Sequence, residues 1–99
     1  MTEVRREIDR LDRAIVVLLA ERFGYIAQAA GIKQQRDQIR DEARIEDVIA
    51  KVSALAAHID APAERVAAVF RELVEQSIAH EAALFEARMG KAGPAAETE

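Results

Sequence analysis

The apolar residues of the first third of the chain recur at the spacing of one long amphipathic helix. The pattern keeps a single helical period from about Thr2 to Gln35, with Thr2 as the predicted N-cap. At 1.5 Å per residue, such a helix is about 50 Å long, which is more than a lone domain of this size can cover. We therefore expect an all-α protein that dimerises through this helix. The apolar positions are Val4, Ile8, Leu11, Ile15, Leu18, Leu19, Ile26 and Ala29.

Two further helices complete the predicted domain, residues 1–89. The second is expected to start around Asp41, after a loop near Arg36–Ile39, and to fade at 58–60. The third begins with Pro62 in its first turn, where the missing N–H costs nothing. Residues 90–99 turn to Gly, Pro, Ala and acids, which predicts a disordered tail. The sequence thus favours three helices per chain.

Composition limits the function. The chain has 99 residues, 51% of them hydrophobic and only 4% aromatic, which fits one domain with an aliphatic core. A net charge of −4 argues against a nucleic-acid surface, and the absence of cysteine excludes a disulfide framework and a thiolate nucleophile. We see neither a signal segment nor a long apolar span, so a cytoplasmic enzyme or interaction module is expected.

Two cations interrupt the apolar stripe of the first helix. Arg22 and Lys33 both fall on it, because eleven residues at 100° each return to within about 20° of the starting direction. A buried cation needs an anion, and no run of acids elsewhere in the chain has the spacing to supply two matched partners. A small ligand that carries carboxylates is therefore the leading candidate.

Further polar residues interrupt the stripes of the other two helices. Ser77 and Glu81 lie four residues apart on the third helix, and Arg44 lies one turn before Val48 on the second, with Asp41 a turn earlier. Together with Arg22 and Lys33, these positions converge on one cavity. Taken singly, each has a simpler interpretation, in which Glu81 pairs with a cation and Arg44 extends to solvent.

Arg5 constrains the geometry of such a site. It precedes Arg22 by seventeen residues, which is about 25 Å along a straight helix and about 100° around it. One helix cannot bring both side chains into one pocket. Arg5 therefore has two interpretations. Either it contributes to the site of a partner chain, or it contributes to no site and is a solvated residue among the charged residues of the first turns.

These residues resemble the all-helical chorismate mutases, which include the related isochorismate-pyruvate lyases. The likeness rests on "VRREIDRLDRAIVVLLAERFGYIAQAAGIK" at 4–33 and "IRDEAR" at 39–44, and continues more loosely to about Phe85. It implies an intertwined homodimer whose sites take cations from both chains. It also implies a cytoplasmic enzyme of the shikimate pathway and aromatic amino acid biosynthesis, without cofactor or metal. The site positions would be Arg5, Arg22, Lys33, Asp41, Arg44, Ile45, Ser77 and Glu81.

The implied reaction is the Claisen rearrangement of chorismate to prephenate. It is pericyclic, so the enzyme has only to hold the dianion folded and to stabilise charge on the breaking ether oxygen. By resemblance, Arg5 of the partner, Arg22 and Arg44 with Ser77 would bind the carboxylates. Lys33 and Glu81 would face the ether oxygen, so that Lys33, Glu81 and Arg22 form the catalytic set.

The chain departs from the family pattern at two positions. Ile45 stands where the mutases commonly carry a glutamate that contacts the 4-hydroxyl, and the related lyases also tend to be apolar there. Glu81 stands where most bacterial members carry glutamine, and a carboxyl group must be protonated to donate to an ether oxygen. The sequence leaves open chorismate, isochorismate or a 4-amino analogue as substrate, and a non-catalytic helical dimer as the other class.

Overall fold

Three α-helices form the protein. The computed structural model describes the backbone of residues 1–98 and the side chains of residues 1–90. Helix α1 covers Thr2–Ile32, α2 covers Glu42–His58 and α3 covers Ala63–Thr98, and a short 3-10 helix at Arg36–Gln38 lies between α1 and α2. No strand occurs in this part of the chain. The prediction of an all-α fold with three helices and a long first helix is confirmed.

The two ends of α1 differ from the sequence prediction. Met1, not Thr2, is the N-cap, and no side chain caps this end. At the other end the helix stops at Ile32, because Lys33 adopts an extended backbone with φ −68° and ψ 140°. The next two N–H groups, those of Gln34 and Gln35, donate to a side-chain oxygen instead of to helix carbonyls. The predicted end at Gln35 was therefore three residues too late.

Local hydrogen bonds delimit α2 on both sides. Asp41 is its N-cap, and the Asp41 carboxylate accepts the backbone N–H of Arg44 at 3.0 Å. At the C-terminal end, the N–H of Ala61 donates to the carbonyl of Ala56 at 2.8 Å, and Asp60 takes a left-handed conformation with φ 63°. This pairing closes the helix in a Schellman turn. Pro62 immediately precedes α3 rather than lying within it.

Helix α3 is the central element, because it packs against both α1 and α2. The core cluster lies between α2 and α3 and consists of the buried side chains of Ile45, Ile49 and Val74. Burying an aliphatic side chain of this size stabilises a fold by about 1.5–3 kcal/mol, so these contacts fix α2 on α3. Partly buried residues extend the cluster, namely Val48, Ala67, Phe70 and Ile78.

The first half of α1 projects away from the rest of the chain. Every residue from Met1 to Leu18 is exposed, including the apolar Val4, Ile8, Leu11 and Ile15. The radius of gyration is 17.7 Å, whereas a compact domain of 100 residues has one of about 13 Å. Only 15 Å thick along its shortest axis, the chain leaves a long apolar face uncovered.

By length and composition alone, α1 could cross a membrane. It contains an 18-residue window with a mean hydropathy of 1.4, of which 6% is buried. The expectation of no long apolar span was wrong on this measure, which counts apolar residues whether they face lipid, water or protein. The predicted disordered tail falls mainly on residues 91–99, whose side chains lie outside the described part, and it stays a prediction.

Candidate active site

One cavity of about 330 Å³ lies on α3, between α1 and the segment that leads into α2. Each helix contributes side chains at intervals of three and four residues, so that one face of every helix lines the cavity. The connection between α1 and α2 contributes the remaining wall. The lining residues are Arg22, Ile26, Ala29, Lys33, Gln38, Ile39, Asp41, Arg44, Ile45, Val48, Val74, Ser77, Ile78 and Glu81.

Arg22 joins α1 to α3 across this cavity. Its Nη1 donates to the Ser77 hydroxyl oxygen at 2.6 Å, and that hydroxyl donates in turn to the backbone carbonyl of Leu73 at 2.8 Å. Burial, and then the positive charge of Arg44, lower the pKa of the Arg22 guanidinium. An anion placed between the two arginines would raise this pKa again by Coulombic attraction, so the charge distribution of the cavity favours an anionic ligand.

Lys33 and Glu81 form the second link between α1 and α3. The Lys33 ammonium donates to Oε2 of Glu81, whose side chain is almost completely buried while that of Lys33 is 27% exposed. The pair lies one helical turn beyond Ser77 on α3. Since Lys33 has three N–H donors and Glu81 takes one of them, two donors remain for a ligand.

Arg44 reaches the cavity from the first turn of α2. Its position follows from the Asp41 cap, which holds the first turn of this helix. The Arg44 guanidinium donates to Asp47 at 2.9 Å, and Lys51 contacts the same carboxylate at 2.9 Å. Lys51 can therefore keep Asp47 paired when Arg44 turns toward a ligand. The side chain of Arg44 is largely exposed, which leaves it free to make that turn.

Ile45 forms an apolar wall of the cavity and is 8% exposed. It also lines a second cavity, of about 350 Å³, on the other side of α2. Ion pairs surround that second cavity: Arg40 contacts Glu42 and Glu75, and Arg71 contacts Glu46. Ile45 thus lines both the candidate site and a charged surface pocket.

The structure brings seven of the eight sequence-predicted site residues to one cavity. Arg5 is the exception, because it lies exposed near the free end of α1 and does not line the cavity. Sequence reasoning missed three residues of the wall, Gln38 and the buried Ile39 and Val74. As an apolar residue in a predicted loop, Ile39 gave a weak indication that it would be buried, whereas nothing in the sequence pointed to Gln38.

Comparison with known proteins identifies the class to which this fold and cavity belong. Residues 4–82, about four fifths of the chain, match the family described as chorismate mutase type II. The chain belongs to the chorismate mutase type II family. No curated protein matches the chain.

Proposed function

We propose that the protein is a chorismate mutase that converts chorismate to prephenate. The observation that carries this proposal is the placement of Arg22, Lys33 and Arg44 around one cavity. Arg22 donates to a neutral hydroxyl and has no carboxylate partner within residues 1–90. Neither Arg22 nor Arg44 pairs through its side chain with a carboxylate of the cavity wall, so a substrate with two carboxylates matches these two cations.

The reaction needs positioning rather than a nucleophile. The ether C–O bond breaks while a C–C bond forms within one molecule, and no group leaves. Arg22 and Arg44 bind the carboxylates in a folded conformation, with Ser77 orienting Arg22. Lys33 donates to the ether oxygen as negative charge develops there, and Glu81 keeps the ammonium in place. When protonated, Glu81 can donate to the same oxygen.

A homodimer with shared sites completes the proposal. Two observations support a dimer. The apolar face of α1 is exposed, and Arg5 lies too far along the straight helix to reach the cavity of its own chain. The partner's first helix would cover this face and carry its Arg5 over the cavity. Such a dimer buries the apolar residues that also give α1 its hydropathy, which favours a soluble, cytoplasmic enzyme.

Ile45 favours a second candidate, an isochorismate-pyruvate lyase that forms salicylate and pyruvate. A buried isoleucine cannot hydrogen-bond a hydroxyl on the neighbouring part of the ring, and isochorismate carries its hydroxyl elsewhere. The same cations would bind its carboxylates.

Product analysis distinguishes these functions. Purified protein should be incubated separately with chorismate and with isochorismate, and the products separated by chromatography. Prephenate from chorismate supports the mutase, and salicylate with pyruvate from isochorismate supports the lyase. A dimer that binds and converts neither compound would instead be a non-catalytic member of the family.

A further inference from the structure

Gln38 is held rigidly by its own neighbours in the connection between α1 and α2. Its Oε1 accepts the backbone N–H groups of Gln34 and Gln35, at 2.9 and 3.0 Å. The Gln35 side chain accepts the backbone N–H of Gln38 in return, which forms a reciprocal capping box. These hydrogen bonds favour one orientation of the exposed Gln38 side chain, and the residue lines the cavity.

This arrangement assigns the two ends of the Gln38 amide. Two N–H donors point at one end, so that end must be the carbonyl oxygen. The other end is the NH₂ group, which has two N–H donors. No acceptor for this group occurs among residues 1–90. The loop thus presents an oriented neutral donor at the wall of the cavity.

The other donors of the cavity are charged or already engaged. Arg22, Lys33 and Arg44 are cations and are best used on carboxylates and on developing negative charge. The only other neutral side-chain donor, the Ser77 hydroxyl, donates to the carbonyl of Leu73. Asp41 can only accept while it is ionised, and its Oδ1 caps α2. Gln38 is the remaining donor for a neutral oxygen.

We propose that the Nε2 group of Gln38 donates a hydrogen bond to the ring hydroxyl of the bound substrate. This inference rests on the proposed function, because a ring hydroxyl is the one neutral polar group of chorismate or isochorismate apart from the ether oxygen. Gln38 then determines specificity: it favours the hydroxylated dianion over the same dianion with hydrogen in that position.

The test compares two substrates in the parent and in Gln38 variants. The substrates are whichever dianion the parent converts and its analogue that lacks the ring hydroxyl. We expect the parent to favour the hydroxylated compound by about tenfold in kcat/KM, as for one hydrogen bond to an otherwise unpaired donor. In Gln38→Leu and Gln38→Met, neither of which can donate to the hydroxyl or accept from it, this preference should fall to near one.

The ratio of the two substrates controls for damage to the loop. Gln38→Met keeps the length of the side chain and Gln38→Leu shortens it, and both lose the donor together with the acceptor for the two backbone N–H groups. A general effect of charge or loop structure acts on both substrates and cancels in their ratio. Gln35→Leu removes the reciprocal cap from a residue outside the cavity wall, and it should keep the parental preference.

The outcomes separate this inference from the proposed function. An active parent whose preference survives both Gln38 substitutions would overturn the role of Gln38 and leave the enzyme assignment intact. If the parent converts neither dianion, the same ratio should be measured on binding by calorimetry. A parent that neither converts nor binds them would overturn both proposals.

Discussion

Arg22 donates from Nη1 to the hydroxyl oxygen of Ser77 at 2.6 Å, so a half-buried guanidinium in α1 is held by a neutral group of α3. The interaction orients the cation without cancelling its charge. A carboxylate partner in the same place would compete with an anionic ligand. Ser77, itself 5% exposed, thus keeps Arg22 available for binding.

Loss of Arg22 or of Lys33 is expected to impair catalysis. Arg22→Ala and Lys33→Ala should each lower kcat/KM by about a hundredfold or more, in line with the loss of a preorganised donor. Arg22→Ala should leave the free energy of unfolding little changed, because Arg22 donates to a neutral hydroxyl, whereas Lys33→Ala leaves the buried Glu81 carboxylate unpaired and should lower it. Kinetics and urea denaturation measure the two quantities, with Lys51→Ala as a surface control. An Arg22→Ala variant that unfolds, or either variant that keeps parental turnover, would identify its residue as structural.

Mixing two inactive variants tests whether each site uses both chains. Arg5→Ala and Arg22→Ala should each be inactive as homodimers. Unfolded and refolded together, they should regain part of the parental activity, because one site of the heterodimer contains neither substitution. Refolding each variant alone is the control. Absence of any recovery would count against shared sites.

Ile45→Glu tests the identity of the substrate. If chorismate is the natural substrate, a carboxylate here should accept a hydrogen bond from its hydroxyl and raise chorismate turnover by about tenfold. The same change places a charge in the core cluster and should lower the free energy of unfolding by about 2–3 kcal/mol. Ile45→Gln provides a neutral control. A fall in chorismate turnover in a folded variant would favour the lyase.

Glu81→Gln tests whether the carboxyl group donates to the ether oxygen. Only a protonated carboxyl group can donate, so use of Glu81 as the donor would make turnover of the parent decline as the pH rises. Glutamine is a permanent donor of nearly the same shape, and the variant would then lose this decline. Rate profiles from about pH 4 to about pH 9 measure the difference. Identical profiles would leave Lys33 as the donor and Glu81 as its ion-pair partner.

The Arg40–Glu75 pair should make stability depend on acidity. The hydrogen bonds from Arg40, at 3.1 and 3.0 Å, lower the pKa of Glu75. A lowered pKa in the folded state stabilises the fold at neutral pH, and this contribution disappears as the pH falls through that pKa. Glu75→Gln should therefore reduce the free energy of unfolding at pH 7, with a difference from the parent that vanishes in acid. Glu72→Gln is the matched control on α3, because Glu72 accepts only from Gln76.

Helical periodicity explains which parts of the site could be predicted. Arg22 and Lys33 share one face of α1, and Ser77 and Glu81 share one face of α3, because a helix fixes the direction of every side chain. Their meeting at one cavity follows once the helices pack. The roles of these residues remain predictions.

The connection between α1 and α2 could not be predicted in the same way. Arg88, which lies 55 residues after Lys33, donates to the Lys33 carbonyl at 2.5 Å, at the point where α1 ends. The Gln38 side chain takes the next two backbone N–H groups. One of these contacts is long-range and the other depends on an irregular backbone, so neither leaves a periodic signal. The end of α1 and the role of Gln38 were missed for this reason.

The position of Ile45 between two cavities has a consequence for water. Its side chain lines both the candidate site and the charged pocket that includes Arg40 and Glu75. A smaller residue would open a solvent channel into the site, where water would weaken every charged interaction with a substrate. A substitution at Ile45 that suits a substrate with a different ring substituent must therefore also keep this channel closed.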